Sequence, residues 1–375
     1  MIRTILITLT LLLGASSEGT TSMTTLTSAS AYTAALQNKN DMTWSGSDQM
    51  SSIVINGRRY WFAGDTIVSN GEALDGSYPP GTTMIGNRIL LQVDDRFTNA
   101  MANNGMGIPN PPTRTSENNE RYWAISGVWA NGYLYVTAAR VRNDPTWGWI
   151  GIGTELAKYS VDPFTGKLTL ISMITTPSTS VTTGPGASHI QWGNAFHMYN
   201  NYVYIYGSTN AKDNPYVINF SYVAMVHASK LEVPSAWRYY KKTTGAWVST
   251  INQLSQDDVN QPDAILPSQV SDAAFVGGKM YLSHKPWAAW GSDVFIETST
   301  TPYGPWTQHK VFSSPEGTWE GIAYVTYGPM MHPEVALASG SNKLLMSINW
   351  AAKNWGDAFK NADLGKPRFY EVTKP

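Results

Sequence analysis

The chain contains no cysteine, which removes disulfides, thiolate metal sites and a cysteine nucleophile, and leaves its redox compartment open. Charge is scarce too. Charged residues make up 14 % of the 375, and the formal net charge is −1, where an average domain carries about a quarter charged residues. That balance offers no electrostatic grip on nucleic acid or anionic lipid. Helix-period patterning is nearly missing after the first 30 residues, and no later stretch is apolar enough for a membrane helix. No P-loop, dinucleotide fingerprint, HExxH motif or G-x-S-x-G elbow occurs. These absences exclude phosphate-cradling, dinucleotide, zinc-peptidase and serine-hydrolase chemistry of the familiar kinds.

What is present is aromatic: 15 Trp and 20 Tyr. In large all-β proteins such residues fill strands; in Gly-rich loops they also suit stacking on the C–H faces of sugars. The chain opens with MIRTILITLTLLLGAS, one Arg before a short apolar run and then small residues. That is the form of a secretory signal peptide, assigned to residues 1–17, with an uncleaved N-terminal anchor as the alternative. Residues 18–40 read as a Ser/Thr-rich leader.

From residue 41 to 375, short alternating runs are punctuated by Gly, Asn and Pro. Hairpin turns recur at Asn56, Asn131, Asn200, Gly277 and around Ser341, roughly 65–75 residues apart. Each is followed by more strand-like sequence. Five repeats of about four strands predict an all-β fold, a five-bladed β-propeller of antiparallel sheets, with loop insertions lengthening the repeats. A β-sandwich array would repeat nearer a hundred residues.

In a propeller the first strand of each repeat lines the channel, so polar residues near one end of those hairpins are the site candidates. Counting out from Asn56-Gly57 as a two-residue loop places Asp48 directly opposite Asp65. Like charges there are unfavourable, yet two close carboxylates are what glycoside hydrolysis uses: one protonates the leaving oxygen, the other attacks or activates water. Mutual repulsion splits their pKa values. The same counting pairs Trp123 with Arg140 and sets Asp272 opposite Ser283. It also brings His189, Gln191 and Trp192 to the third repeat, and His332 and Glu334, with Asn349 on the returning strand, to the fifth. Trp123, Arg140, His189, Gln191, Trp192, Asp272, His332 and Asn349 are the expected sugar-binding set. No cofactor is expected. A channel metal has no Asp-x-Asp-x-Asp loop to support it.

The first-hairpin Asp, then WFAGDT, WGNAF beside YVYIYG, and HPEV together resemble family 183 of the glycoside hydrolases, formerly a domain of unknown function. That family includes endo-D-arabinanases acting on mycobacterial cell-wall arabinan. The resemblance spans roughly residues 42–375. It implies a propeller whose catalytic pair is two first-blade aspartates, carried onto Asp48 and Asp65. The three-carboxylate pattern of the arabinanase and xylosidase families does not transfer, because Trp123 and Gln191 stand at the matching positions. The S-x-D-x-G-x-x-W boxes of sialidase propellers are missing as well. The expectation is a secreted, monomeric glycoside hydrolase acting on a furanose-containing polysaccharide such as D-arabinan. The alternative from another class is a non-catalytic carbohydrate-binding propeller, such as an adhesin or a phage tail component.

Overall fold

The computed structural model describes residues 28–37, 44–69, 77–145, 148–178, 190–211, 214–254, 261–286, 291–314, 316–337 and 342–375. The expected signal peptide, His189 and the turn at Ser341 lie outside them. The protein is all-β. Five antiparallel sheets follow one another along the chain, each with its strands in sequence order. Their inner hairpins are Met50–Ile55 with Arg58–Ala63, Arg121–Ala130 with Tyr133–Asp144, Gln191–Tyr199 with Tyr202–Ala211, Val270–Val276 with Lys279–His284, and Ile322–His332 with Lys343–Ala352. A sixth, three-stranded sheet (Gly46–Ser47, Thr66–Val68, Thr83–Ile85) extends the first hairpin outward.

Turn chemistry sets these hairpins. Asn56-Gly57, Asn131-Gly132, Asn200-Asn201 and Gly277-Gly278 are all in the left-handed region, the two-residue geometry that matches strand twist and that Asn and Gly adopt most readily. The fifth hairpin differs from expectation. Its first strand lies upstream, at Ile322–His332, and the chain leaves the sheet where the HPEV segment was expected to begin it. The Val335 side chain is instead buried against the first sheet's core residues.

Most of the core lies between sheets, where five of its clusters close a cycle. Tyr60 and Phe62 meet Ala124 and Val136; Val128 and Tyr135 meet Trp192 and Ile205. Tyr206 and Val223 meet Val270 and Leu282; Tyr281 and Ile296 meet Met331 and Met346. Leu345 and Phe369 then return to Trp61 and Leu90. The inner strands pack in the same order, the fifth against the first. Each large apolar side chain removed from water contributes about 1.5–3 kcal/mol, so every seam is held independently by several of them.

Part of the expected leader is structured. Ala29–Gln37 is a helix with Ser28 capping the Ala31 amide. Nine residues are too few for a stable isolated helix. Tyr32 and Leu36, four apart on one face, anchor it in the seam between the fifth and first sheets. The Tyr32 ring lies 5.3 Å from Phe369 and 6.0 Å from Trp61, and its hydroxyl accepts from Arg59 at 2.7 Å. Tyr32→Ala is therefore expected to destabilise the fold by roughly 3–5 kcal/mol, the range for deleting a buried aromatic. Equilibrium urea unfolding of the variant checks this, and a loss under about 1 kcal/mol would show that the helix does not hold the seam.

Candidate active site

The first hairpin keeps one register past Met50. Met50 pairs with Ala63, and beyond the gap Ser47 pairs with Thr66, so Asp48 falls opposite Asp65. The Asp48 amide donates to the Asp65 carbonyl at 2.9 Å, and the Gly64 amide to the Asp48 carbonyl at 2.8 Å. Between them Gln49 takes φ 45°, an unusual conformation for a side-chain-bearing residue. It breaks the ladder and re-aims the strand start.

Two side chains from two other sheets reach the pair. Arg121, at the start of the second sheet, donates Nε to Asp65 Oδ1 at 3.1 Å and Nη2 to Oδ2 at 3.3 Å. Asp65 is buried, at 5 % exposure. Its pKa is raised, because burial outweighs the Arg121 charge and hydrogen bonds that pull the other way. Tyr327, from the fifth sheet, donates its hydroxyl to Asp48 Oδ1. Asp48 keeps part of its surface open, and its Oδ2 accepts no hydrogen bond among the described residues. Its pKa is raised to about 7, first by desolvation and then by the Asp65 charge, against the opposing effects of Tyr327 and Arg121. Asp48 is thus half protonated near neutrality beside an ion-paired carboxylate, an arrangement suited to proton donation.

The other sequence-predicted residues divide. Trp123 is half-buried beside this group: Arg121 sits 5.6 Å over its ring, and Trp149 meets it at 4.6 Å in a T-shaped contact. Arg140 stands opposite Tyr122 rather than Trp123, because a bulge between Ala124 and Gly127 shifts the register by one. Its guanidinium is ion-paired with Glu120. Gln191 opens the third sheet opposite Ser208 and lies over Gly151, where a Cβ would come within 2.5 Å of its Nε2. Asn349 is the cross-strand partner of Tyr327, and its amide reaches the Ser47 carbonyl at 3.4 Å.

Three expectations are corrected. Trp192 has 0 % exposure and packs in the core against Tyr239, so it offers no face to a sugar. His332 is equally buried, about 13 Å along the strand from the Asp48 level at 3.3 Å per residue. Its Nδ1 lies 2.6 Å from Ser52 Oγ and its Nε2 2.8 Å from Ser347 Oγ. Ser52 spends its proton on Glu334, at 2.6 Å, so His332 carries hydrogen on Nδ1 and accepts at Nε2. Burial lowers its pKa well below the ordinary value. Asp272 does pair with Ser283, but its oxygens accept from the Ala273 and Met331 amides, both at 2.8 Å. It ties the fourth sheet to the fifth. Arg121 and Tyr327 were not singled out by sequence; only the register of their strands, after a bulge in each, shows where they point.

The described residues hold no group of three His, Asp or Glu side chains placed to bind a metal. The fold is shared with a "putative hydrolase" from Bacteroides ovatus ATCC 8483, at a TM-score of 0.69 and 22 % identity over 91 % of this chain and 88 % of that one. A GH43_1 enzyme from Xanthomonas citri complexed with xylotriose aligns at a TM-score of 0.47 and 14 % identity, over 91 % and 93 %. A GH43 beta-xylosidase/alpha-arabinofuranosidase from a compost microbial metagenome aligns at 0.48 and 11 %, over 88 % and 91 %. No curated protein matches. The chain belongs to the family described as a domain of unknown function, DUF5005, whose model matches residues 30–374.

The raised pKa of Asp48 has a stability consequence. It stands at about 7 in the folded protein against an ordinary 3.8. The stability that the group contributes is therefore complete below pH 3.8 and is lost as pH rises through about 7. Asp48→Asn should be close to the parent near pH 4 and exceed it by roughly 4 kcal/mol near pH 8.5, at about 1.4 kcal/mol for each pH unit separating the folded and unfolded midpoints. Urea unfolding at the two pH values measures the difference. An equal effect at both would mean that Asp48 is not the titrating group.

Proposed function

We propose that the chain is a five-bladed β-propeller glycoside hydrolase, with Asp48 as general acid and Asp65 as the fixed anion beside it. The observation that carries this reading is the opposed pair at the partly open start of an inner strand, one member raised to a pKa of about 7 and the other ion-paired with Arg121. The cycle of inner-strand contacts supports the five blades. In the step proposed, protonated Asp48 gives its proton to the glycosidic oxygen as the C1–O bond breaks with its electron pair. The positive charge developing at the anomeric carbon meets the Asp65 carboxylate; a water then bonds that carbon through its oxygen and gives a proton to the Asp48 carboxylate, which restores the acid. Trp123 supplies an aromatic wall next to that carboxylate.

The finer substrate assignment, endo-acting hydrolysis of D-arabinan in mycobacterial-type walls by a family 183-like enzyme, rests on the motif resemblance alone. Export through the residues 1–17 signal is proposed on the sequence pattern alone and is read by N-terminal sequencing of secreted protein.

Incubation with isolated arabinogalactan should release oligosaccharides. Asp48→Asn and Asp65→Asn should each lower the rate by about 10²–10⁴-fold, the usual worth of an acid–base group. Because the acid must be protonated, activity should fall as pH rises through about 7. Full activity in both variants would end the mechanism. Binding of the polysaccharide without release of products would instead identify a non-catalytic carbohydrate-binding propeller.

A further inference from the structure

The Asp48 carboxyl is addressed by a residue almost 280 positions away, and the backbone is specially shaped to make the meeting possible. Ile322–His332 carries a bulge between Tyr327 and Met330, with Gly328 at φ 62°. A Cβ on Gly328 would come within 3.0 Å of the Gln49 side chain. Gln49, at φ 45°, is the irregular residue immediately after Asp48. Two irregularities on neighbouring sheets thus face each other across the closing seam, at the level of the acid. The bulge re-aims Tyr327, and the left-handed Gln49 bends the chain beside Asp48, where the two side chains meet. Behind Tyr327 stands its cross-strand partner Asn349, which lowers the phenol's pKa against the larger effect of burial. The Tyr327 hydroxyl donates to Asp48 Oδ1.

On this geometry we propose that Tyr327 is a positioning residue that occupies Oδ1 of Asp48, so that the acid's proton resides on Oδ2, the oxygen left for substrate. The inference rests on the glycosidase reading for its catalytic meaning, but not for its physical content. A phenol that donates to Oδ1 excludes a proton from that atom's inward side. A carboxyl without that bond is free to rotate and to carry its proton on either oxygen. Tyr327 itself stays protonated, since burial, first of all, and then Asp48 raise its pKa well above the ordinary value. The titratable and charged groups that face Asp48 are Asp65 from the paired strand, Arg121 from the second sheet and Tyr327 from the fifth.

The test is Tyr327→Phe, with Gly328→Ala as a second variant that keeps the hydroxyl but strains the bulge that aims it. The Asp48 titration is read directly by carbon-13 NMR of labelled aspartate, assigned through Asp48→Asn. Tyr327→Phe removes a donor to the carboxylate, so the Asp48 midpoint should rise by about one pH unit, and Gly328→Ala should move it the same way. On an active substrate, kcat should fall about tenfold with KM within about twofold, and the alkaline limb should move upward with the titration. An unchanged midpoint in both folded variants overturns the proposal. A raised midpoint in a protein that hydrolyses no glycan supports the positioning role while ending the glycosidase reading. Should Tyr327→Phe fail to fold, the Gly328→Ala midpoint decides alone.

Discussion

The contact on which the rest depends is the seam where the fifth sheet meets the first. Every other seam joins sheets adjacent in sequence; this one joins the two ends of the chain. It is held by Trp61 and Leu90 against Leu345 and Phe369, with the helix Ala29–Gln37 laid over the join. Contacts of such sequence separation cost more chain entropy to form than neighbouring ones. The seam meets that cost with apolar burial and with polar ties at two levels: Tyr327 to Asp48, and Ser52 to His332 and Glu334. Arg59 reinforces the second level, pairing Glu334 at 3.2 Å while donating to Tyr32. The candidate site is therefore completed only when the ring closes.

Opposed carboxylates would ordinarily be selected against, and the structure shows how these are tolerated. Asp65 is held bidentate by Arg121, the geometry that guanidinium and carboxylate share best. Asp48 escapes the repulsion by keeping its proton to near neutral pH. Removing Arg121 would leave a buried charge unpaired, far costlier than an exchange of surface groups. The strain is thus distributed between an ion pair and a protonation equilibrium, and only the second is of use to a reaction.

Much of the fold was legible because its turns are chemically explicit. Asn56-Gly57 and Asn131-Gly132 adopt conformations that few other residue pairs accept, and counting from Asn56 correctly set Asp48 against Asp65. The same counting failed by one at Arg140, because the bulge at Ala124–Gly127 inserts a residue that alternation does not register. The fifth hairpin misled for a related reason: HPEV resembles a strand start, but the strand ends at His332 and Val335 turns inward. The helix was hidden by Ser/Thr-rich composition, though Ser28 and the Tyr32–Leu36 spacing marked a cap and a face. Arg121 and Tyr327 were illegible in a stronger sense. Their roles are set by which sheets become neighbours, and strand periodicity carries no such information.

Two aspartates, Asp48 and Asp272, are both raised to a pKa of about 7 and both chiefly by desolvation. A perturbed pKa therefore does not single out the acid; the hydrogen bonds do. Both oxygens of Asp272 are taken by backbone amides, and protonating one would forfeit a bond that ties two sheets together. Asp48 has one oxygen taken, by a phenol from across the closing seam, and retains open surface. A proton on its other oxygen has somewhere to go. Desolvation raises both carboxyls; what separates them is that both oxygens of Asp272 are held by backbone amides, whereas among the described residues only Oδ1 of Asp48 is held.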